Sequence, residues 1–228
     1  TALESEGVEV EIGARYCKNC KVETFENKCP CCGARTVTFH ICNKCNLSFL
    51  QERCPRCHSQ GVSFKRQKID IGAIYHRALD KLGAGKTEKL KGVQGLVSKD
   101  RTPEPLEKGI LRAKYDVFVY KDGTIRYDLT NLPLTHFRPR EVGLTVQEVI
   151  QLGYEVDVDG APIRSDEQLI ELRPQDIIIS EEAGDYLLRV SKFVDELLSK
   201  YYGCDPYYSA EKREELIGKL VIGLAPHT

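Results

Sequence analysis

Nine of the ten cysteines in this 228-residue chain fall between Cys17 and Cys57, where thiols could cross-link, cycle redox chemistry or bind metal. Cys17-x2-Cys20 and Cys29-x2-Cys32 form one set with eight residues between the pairs. Cys42-x2-Cys45 and Cys54-x2-Cys57 repeat it at the same intervals. The copies are offset by 25 positions, an offset that also relates Tyr16 to Ile41, Pro30 to Pro55, Val37 to Val62 and Phe39 to Phe64. Each copy of such a tandem repeat is one complete unit. A two-residue spacer lets both sulfurs of a CxxC hook face one centre, so two hooks set four thiolates around a tetrahedral Zn2+. The expected ligands are Cys17, Cys20, Cys29 and Cys32 for one zinc ion, and Cys42, Cys45, Cys54 and Cys57 for a second. With no open coordination position, both sites are structural: the metal replaces a core that a 25-residue repeat cannot supply.

A disulfide scaffold has no need of hooks repeated at matched spacing. A thioredoxin-like redox motif uses one CxxC at the start of a helix, whereas four occur here. Cys31 breaks the repeat, because its counterpart is Arg56, and it reads as a spare thiol. Zinc ribbons serve many unrelated proteins, so the metal by itself does not specify a function.

Other reactive residue types give weaker patterns. LGAGKT at residues 82–87 carries the second half of a phosphate loop, but the position of its first glycine is Asp80, and the motif follows a helical pattern rather than a strand. Its neighbours Lys86, Lys89 and Lys91 touch either a nucleic-acid backbone or nothing. His40 and His58 lie beside cysteine sets that are already complete and are expected at the surface; His76 falls on the polar side of a helix. His136 sits among Phe137, Arg138 and Arg140, either as part of a basic-aromatic cluster that contacts DNA or as a loop histidine. DVDG at residues 157–160 lacks the further oxygen ligands of a calcium loop and reads as a turn.

These residues need elements to position them. VEVEIGARY alternates as a strand leading into the first ribbon, and TVTF and GVSF are short return strands after the second hook of each repeat. IGAIYHRALDKLG is a helix stopped by Gly83, followed by a Gly- and Lys-rich loop that should be mobile. ILRAKYDVFVYKDGTIRYDL is an antiparallel hairpin turning at Asp122-Gly123. A helix capped by Thr145 and stopped by Gly153 follows, then a buried strand in QDIIIS. Two C-terminal helices close the pattern. The first carries Leu187, Val190, Val194, Leu197 and Leu198 on one stripe, and the second is capped by Ser209. The expected class is α+β: two tandem four-cysteine zinc ribbons, then a mixed α/β region. The divisions are a leading strand over 1–15, ribbons over 16–40 and 41–66, the helix and loop over 67–102, and the mixed region over 103–228.

Charge is divided along the chain although the net value is −1. Residues 13–66 hold ten Lys or Arg against three acids and residues 67–140 fifteen against nine, whereas residues 141–185 hold two Arg against twelve acids. A basic half beside an acidic segment fits a nucleic-acid face joined to one that avoids it; solvated charge with no partner is the alternative. No apolar run approaches the roughly 20 residues of a membrane span. The acidic first dozen residues do not read as a signal peptide, and reduced thiols with zinc predict a cytoplasmic setting. The absence of methionine, even at residue 1, predicts a chain processed or cut from something longer.

Residues 103–143, PEPLEKGILRAKYDVFVYKDGTIRYDLTNLPLTHFRPREVG, closely resemble a signature block in the large subunit of the archaeal family-D replicative DNA polymerase. The closing GLAPHT resembles the start of another block, and the ribbons stand where that family carries zinc modules. The resemblance implies part of a DNA-directed DNA polymerase built on double-psi β-barrels, with primer-template DNA, the rest of the large subunit and a small proofreading exonuclease subunit as partners. It implies Mg2+ in the complete polymerase site, on aspartates of an acidic motif downstream of the APHT block. No catalytic aspartate is therefore assigned in this sequence, and only His227 falls near that site. The region after the ribbons would then be clamp-like, holding DNA through Lys86, Lys89, Lys91, Arg112, Lys114, His136, Arg138 and Arg140. The rival reading is a non-catalytic zinc-ribbon factor that binds nucleic acid or protein, which would not need the 103–143 block.

Overall fold

Val8, Val10 and Ile12 alternate with Glu9 and Glu11, and in a computed structural model of the chain they form strand β1 (Val8–Gly13). The structure describes residues 7–85, 89–93, 98–99, 101–128 and 132–219. β1 pairs antiparallel with β7 (Phe64–Ile69), in register from Val8 opposite Ile69 to Gly13 opposite Phe64. Glu9 thereby faces Lys68, and Glu11 faces Arg66. Everything between, including both cysteine repeats, is one excursion from this two-stranded base. Two units emerge, the first reaching Lys114 and including Phe118–Ile125, the second holding Tyr115–Val117 and the residues from Arg126 onward.

In the first unit, the first repeat contributes β2 (Arg15–Cys17), β3 (Val22–Thr24) and β4 (Val37–Thr38) in one sheet, ordered β3-β2-β4. The second contributes β5 (His40–Ile41) paired with β6 (Ser48–Phe49). Its return segment makes a single bridge, Val62 to Ile41, before entering β7. Helix α1 (Ile71–Leu82) opens on Asp70, whose carboxylate accepts from the Ala73 N–H at 2.8 Å, and closes on Gly83 at φ 60°. Its buried face is Tyr75, Ala78, Leu79 and Leu82, and it packs against α2 (Leu106–Lys114).

Helix α2 corrects the expected hairpin. Its residues Leu106, Glu107, Lys108, Arg112, Ala113 and Lys114 are all good helix formers, and Ile110 and Leu111 become buried. The hairpin shrinks to one bridge, Val119 to Ile125. Around it the Tyr120 N–H donates to the Thr124 carbonyl at 2.8 Å, and Gly123 takes φ 91°.

The same helix ties down part of the Lys- and Gly-rich loop. The Lys91 N–H donates to the Gly109 carbonyl at 3.1 Å, and Leu90 packs so close that a Cβ at Gly109 would sit 3.1 Å from its Cγ. Arg112, 5% exposed, donates both guanidinium Nη groups to Glu104 and one to the Lys91 carbonyl at 3.3 Å. Breaking a buried pair from one side strands a charge, so Glu104→Ala should cost about 3–5 kcal/mol in urea unfolding of the first unit. Replacing both partners with apolar residues should recover most of that loss. Residues 86–88 and 94–97 of the loop lie outside the described set.

The second unit has its own core of Phe137, Leu144, Val149, Tyr154, Ile163 and Ile170. Strands β8 (His136–Phe137) and β9 (Ile170–Glu171) pair antiparallel, Phe137 opposite Ile170. Helix α3 (Val146–Gln151) carries the expected Thr145 cap: the Thr145 hydroxyl accepts from the Glu148 N–H, and the Glu148 carboxylate accepts from the Thr145 N–H. Residues 157–160 form the expected turn, with the Gly160 N–H donating to the Asp157 carbonyl at 3.0 Å.

Three expectations for this unit fail. Residues 175–180 are no buried strand: Ile178 makes one bridge, to Leu132, and its neighbours are half-exposed. Helix α4 (Glu181–Glu196) buries Ala183, Tyr186 and Phe193, leaving the expected stripe half-buried. Tyr186 decides that rotation by stacking on Tyr127 at 4.4 Å. Ser209 caps no helix. The Asp195 carboxylate accepts from the N–H groups of Tyr207, Tyr208 and Ser209 at 2.8–2.9 Å, holding Ser209 at φ 49°, and among the described residues a 3-10 turn, Arg213–Leu216, is the only helical segment that follows. Among the described residues, no helix is long and apolar enough to cross a membrane.

Candidate metal centres and basic surface

Each cysteine hook closes in the same way. The N–H four residues after the first cysteine donates back to its carbonyl: Lys21 to Cys17, Gly33 to Cys29, Asn46 to Cys42 and His58 to Cys54, at 2.8–2.9 Å. The residue that closes the hook has positive φ each time, between 52° and 72°, although only one of the four is glycine. Left-handed backbone at Lys21 and His58 costs on the order of 1 kcal/mol each, and it persists where the surroundings over-determine it. Here it turns both sulfurs of a hook toward one point.

In each set the four Sγ atoms lie within 4.8 Å of one another. The Cys17–Cys32 sulfurs are 3.6 Å apart and the Cys42–Cys57 sulfurs 3.4 Å. A tetrahedral site with Zn–S bonds of about 2.3 Å needs sulfurs about 3.8 Å apart, so both sets can hold such an ion with small adjustment. The N–H groups of Cys20 and Cys45 each donate to the first sulfur of their hook at 3.4 Å, which stabilises a thiolate there. Without metal the thiols compete for charge. Cys29 is pulled down to about 6, chiefly by the Cys32 backbone N–H, and Cys57 to about 6, chiefly by the Ser59 hydroxyl. Cys20 and Cys45 are pushed up to about 12, chiefly by hydrogen bonding with the Cys32 and Cys57 thiols. Cys31 is exposed and outside the set.

His58 is exposed as expected, whereas His40 is half-buried. Its ring stacks on Phe49 at 6.2 Å, and its Nδ1 is buried without a partner among the described residues. The packing is tight enough that a Cβ at Gly61 would fall 2.7 Å from both His40 Cβ and Phe49 Cζ.

The basic surplus is smaller than the count of residues. Lys65, Arg66, Arg77 and Lys99 pair with Glu23, Glu9, Glu26 and Glu11, while Arg15 braces Thr36 and Thr102. Lys18, Lys21, Arg35, Lys44, Arg53 and Arg56 stay exposed within or beside the hooks. Sequence reasoning counted them but did not single them out, although their place beside the cysteines was legible.

Among the residues expected to hold DNA, Lys89 and Lys114 are exposed. Lys91 is half-buried, its ammonium over the Phe118 ring at 5.3 Å. Arg112 must be withdrawn, since it is buried on Glu104. His136 is exposed with Nδ1 2.9 Å from the Thr135 hydroxyl, but Phe137 is core, so no aromatic cluster forms there. Arg138 pairs with Glu141 at 3.1 Å, and Arg140 with Glu167. Lys86 and His227 lie outside the described residues. Among the described residues, the cysteine sets are the two groups of three or more potential metal ligands that converge.

The family model described as DNA polymerase II large subunit DP2, catalytic domain, matches residues 83–228. The chain is 53% identical over 222 residues to the DNA polymerase II large subunit of Methanocella arvoryzae, covering 97% of this chain and 20% of that protein. It is 48% identical over 234 residues to the large subunit of Pyrococcus horikoshii, covering all of this chain and 16% of the relative. The corresponding protein of Archaeoglobus fulgidus is 46% identical over 222 residues, covering 97% and 19%. The chain thus spans about a fifth or less of the length of the curated relatives it matches.

Proposed function

Because the chain belongs to the DNA polymerase II large subunit (DP2) family, we propose that it contributes zinc modules and a DNA-holding surface to a template-directed DNA polymerase. The observation that carries this is the match over residues 83–228, which includes the 103–143 block. A free-standing zinc-ribbon factor would need the hooks but not that block.

Within this reading each cysteine set holds one Zn2+, which would supply a closed cross-link between two hooks and no reactive position. The residues then do the mechanical work: the hooks hold the ribbons rigid, and the exposed lysines and arginines beside them face phosphates. We take 1–15, 16–40, 41–66, 67–102 and 103–228 as the functional divisions, with 1–15 the leading strand and 16–40 and 41–66 the ribbons. Mg2+ belongs to a polymerase site outside the described residues. Primer-template DNA, the rest of the large subunit and a small exonuclease subunit are the partners, in the cytoplasm.

No recognition-helix motif stands in the sequence, so DNA contact should be to the backbone and therefore salt-dependent. Charge reversal of Lys86, Lys89 and Lys91 together should weaken binding alike for all DNA sequences and flatten the log–log salt slope by roughly 1 per lysine. Fluorescence anisotropy across a salt series checks this; binding independent of salt, or a changed sequence preference, would count against it.

A further inference from the structure

In the second unit, residues 153–158 run along an open groove of about 500 Å³ whose other wall includes Glu171 and Arg173. One edge of this segment is used: the Asp157 N–H donates to Ala161 at 2.9 Å, and the Glu155 carbonyl accepts from Ile163 at 3.2 Å. Backbone groups alternate sides in an extended chain, so the Val156 N–H and C=O point the opposite way. Among the described residues no hydrogen bond reaches either. The groove is closed at one end by the Val158 N–H donating to the Leu169 carbonyl at 3.0 Å. At the other end the Arg173 guanidinium donates to the carbonyls of Leu152 and Gly153. What remains between is a short unpaired strand edge.

The side chains around it are aliphatic and acidic. Val156, Val158 and Leu169 are 51%, 45% and 36% exposed, an unusual set of neighbours to leave in water. Glu155 and Glu171 line the groove and form no ion pair among the described residues. Residues 141–185 hold twelve acids against Arg164 and Arg173, and Arg173 is already spent on carbonyls. A phosphate backbone is repelled by such a surface, whereas a cationic peptide is attracted.

We propose that this groove docks an extended, basic segment of a partner protein, which adds as a strand along Val156 and lays aliphatic side chains on Val156, Val158 and Leu169. The main chain of the guest completes the open N–H and C=O, and its lysines or arginines meet Glu155 and Glu171.

The test uses the zinc-loaded chain and a labelled alternating lysine–valine heptapeptide. Saturable binding is expected, with NMR shifts centred on Val156, Val158, Leu169 and Glu171. Val156→Ser with Val158→Ser, Glu155→Lys with Glu171→Lys, and N-methylation of the peptide backbone should each weaken it about tenfold. The last two leave the protein's apolar packing untouched, so a fold defect cannot imitate them. Four results would overturn the proposal: equal binding by a lysine–serine peptide; indifference to N-methylation; displacement of the peptide from the groove by single-stranded DNA; or sedimentation showing that two copies of the chain already pair through Val156 and Val158.

Discussion

Stripping metal from the cysteine sites should unfold both ribbons while the second unit keeps its structure, and protein purified without chelator should carry two zinc ions per chain. The ribbons have almost nothing else to hold them. The buried cluster of the second is Cys42, Cys54 and Phe49, with Cys45 and Cys57 packed on it, so four of its five members are ligands. Structural zinc in small ribbons supplies apparent free energies of about 10–16 kcal/mol near neutral pH, far more than one phenylalanine can replace. Cys42→Ser should remove one zinc and unfold one ribbon; Cys31→Ser should change neither count nor fold, because its thiol lies outside the set. The pH response has a definite sign. In the folded geometry Cys29 and Cys57 are held near 6, below the thiol reference, so they offer thiolates to the metal at neutral pH and take up protons, with loss of zinc, as pH falls through 6. Cys20 and Cys45 are raised to about 12, so zinc must displace their protons, and affinity should rise with pH across the neutral range. Zinc analysis by mass spectrometry and chelator competition at several pH values decide this. One zinc per chain, or a count that falls with Cys31→Ser, would mean the wrong ligands have been assigned.

What was legible in the sequence had a local cause. The repeat of 25 located both sulfur sets, and the caps at Thr145 and Gly83 fixed helix ends because capping involves residues only a few positions apart. The failures each turned on a distant contact. Ile110 and Leu111 look strand-like beside Tyr115 to Tyr120, but packing against α1 and Leu90 selects helix for them. Ser209 has the composition of a cap, yet Asp195, 14 residues earlier, takes its N–H and bends the chain away. Arg112 counts as surface charge in any tally, and only Glu104 and the Lys91 carbonyl show that it is buried. Charge reports composition; whether a given arginine meets a phosphate depends on which acid already holds it. Of the four hook-closing residues with positive φ, Gly33 is the usual sign and Asn46 and His58 are types that tolerate left-handed backbone, whereas Lys21 carries no such signature in its residue type.

The isolated chain should incorporate no nucleotide, even with Mg2+, primer-template and a small exonuclease subunit, and adding the remainder of the large subunit should restore synthesis. Nucleotidyl transfer on two metal ions about 3.5–4 Å apart needs carboxylates that converge with free oxygens. Among the described residues no three acids converge on a common point, and several are spent on the fold. Glu104 holds Arg112, Glu148 closes the α3 cap, Asp176 accepts from the Tyr154 hydroxyl, and Asp195 accepts three backbone N–H groups. Asp157 is held below the usual carboxylate range, first by the Gln168 amide, and organises its own turn. Freeing any of these for a metal would first undo a fold contact. The resemblance assigns the metal-binding aspartates to a separate acidic motif, which agrees with acids here that work as struts. Loss of the hook cysteines in the complete assembly should then lower DNA retention or stability more than the rate of the chemical step, since a closed four-thiolate site has no position for substrate. Primer extension by the isolated chain beside the reconstituted assembly separates the possibilities. Extension by the chain alone, abolished by changing acids within it, would put the active site in this segment and overturn the division between holding and chemistry.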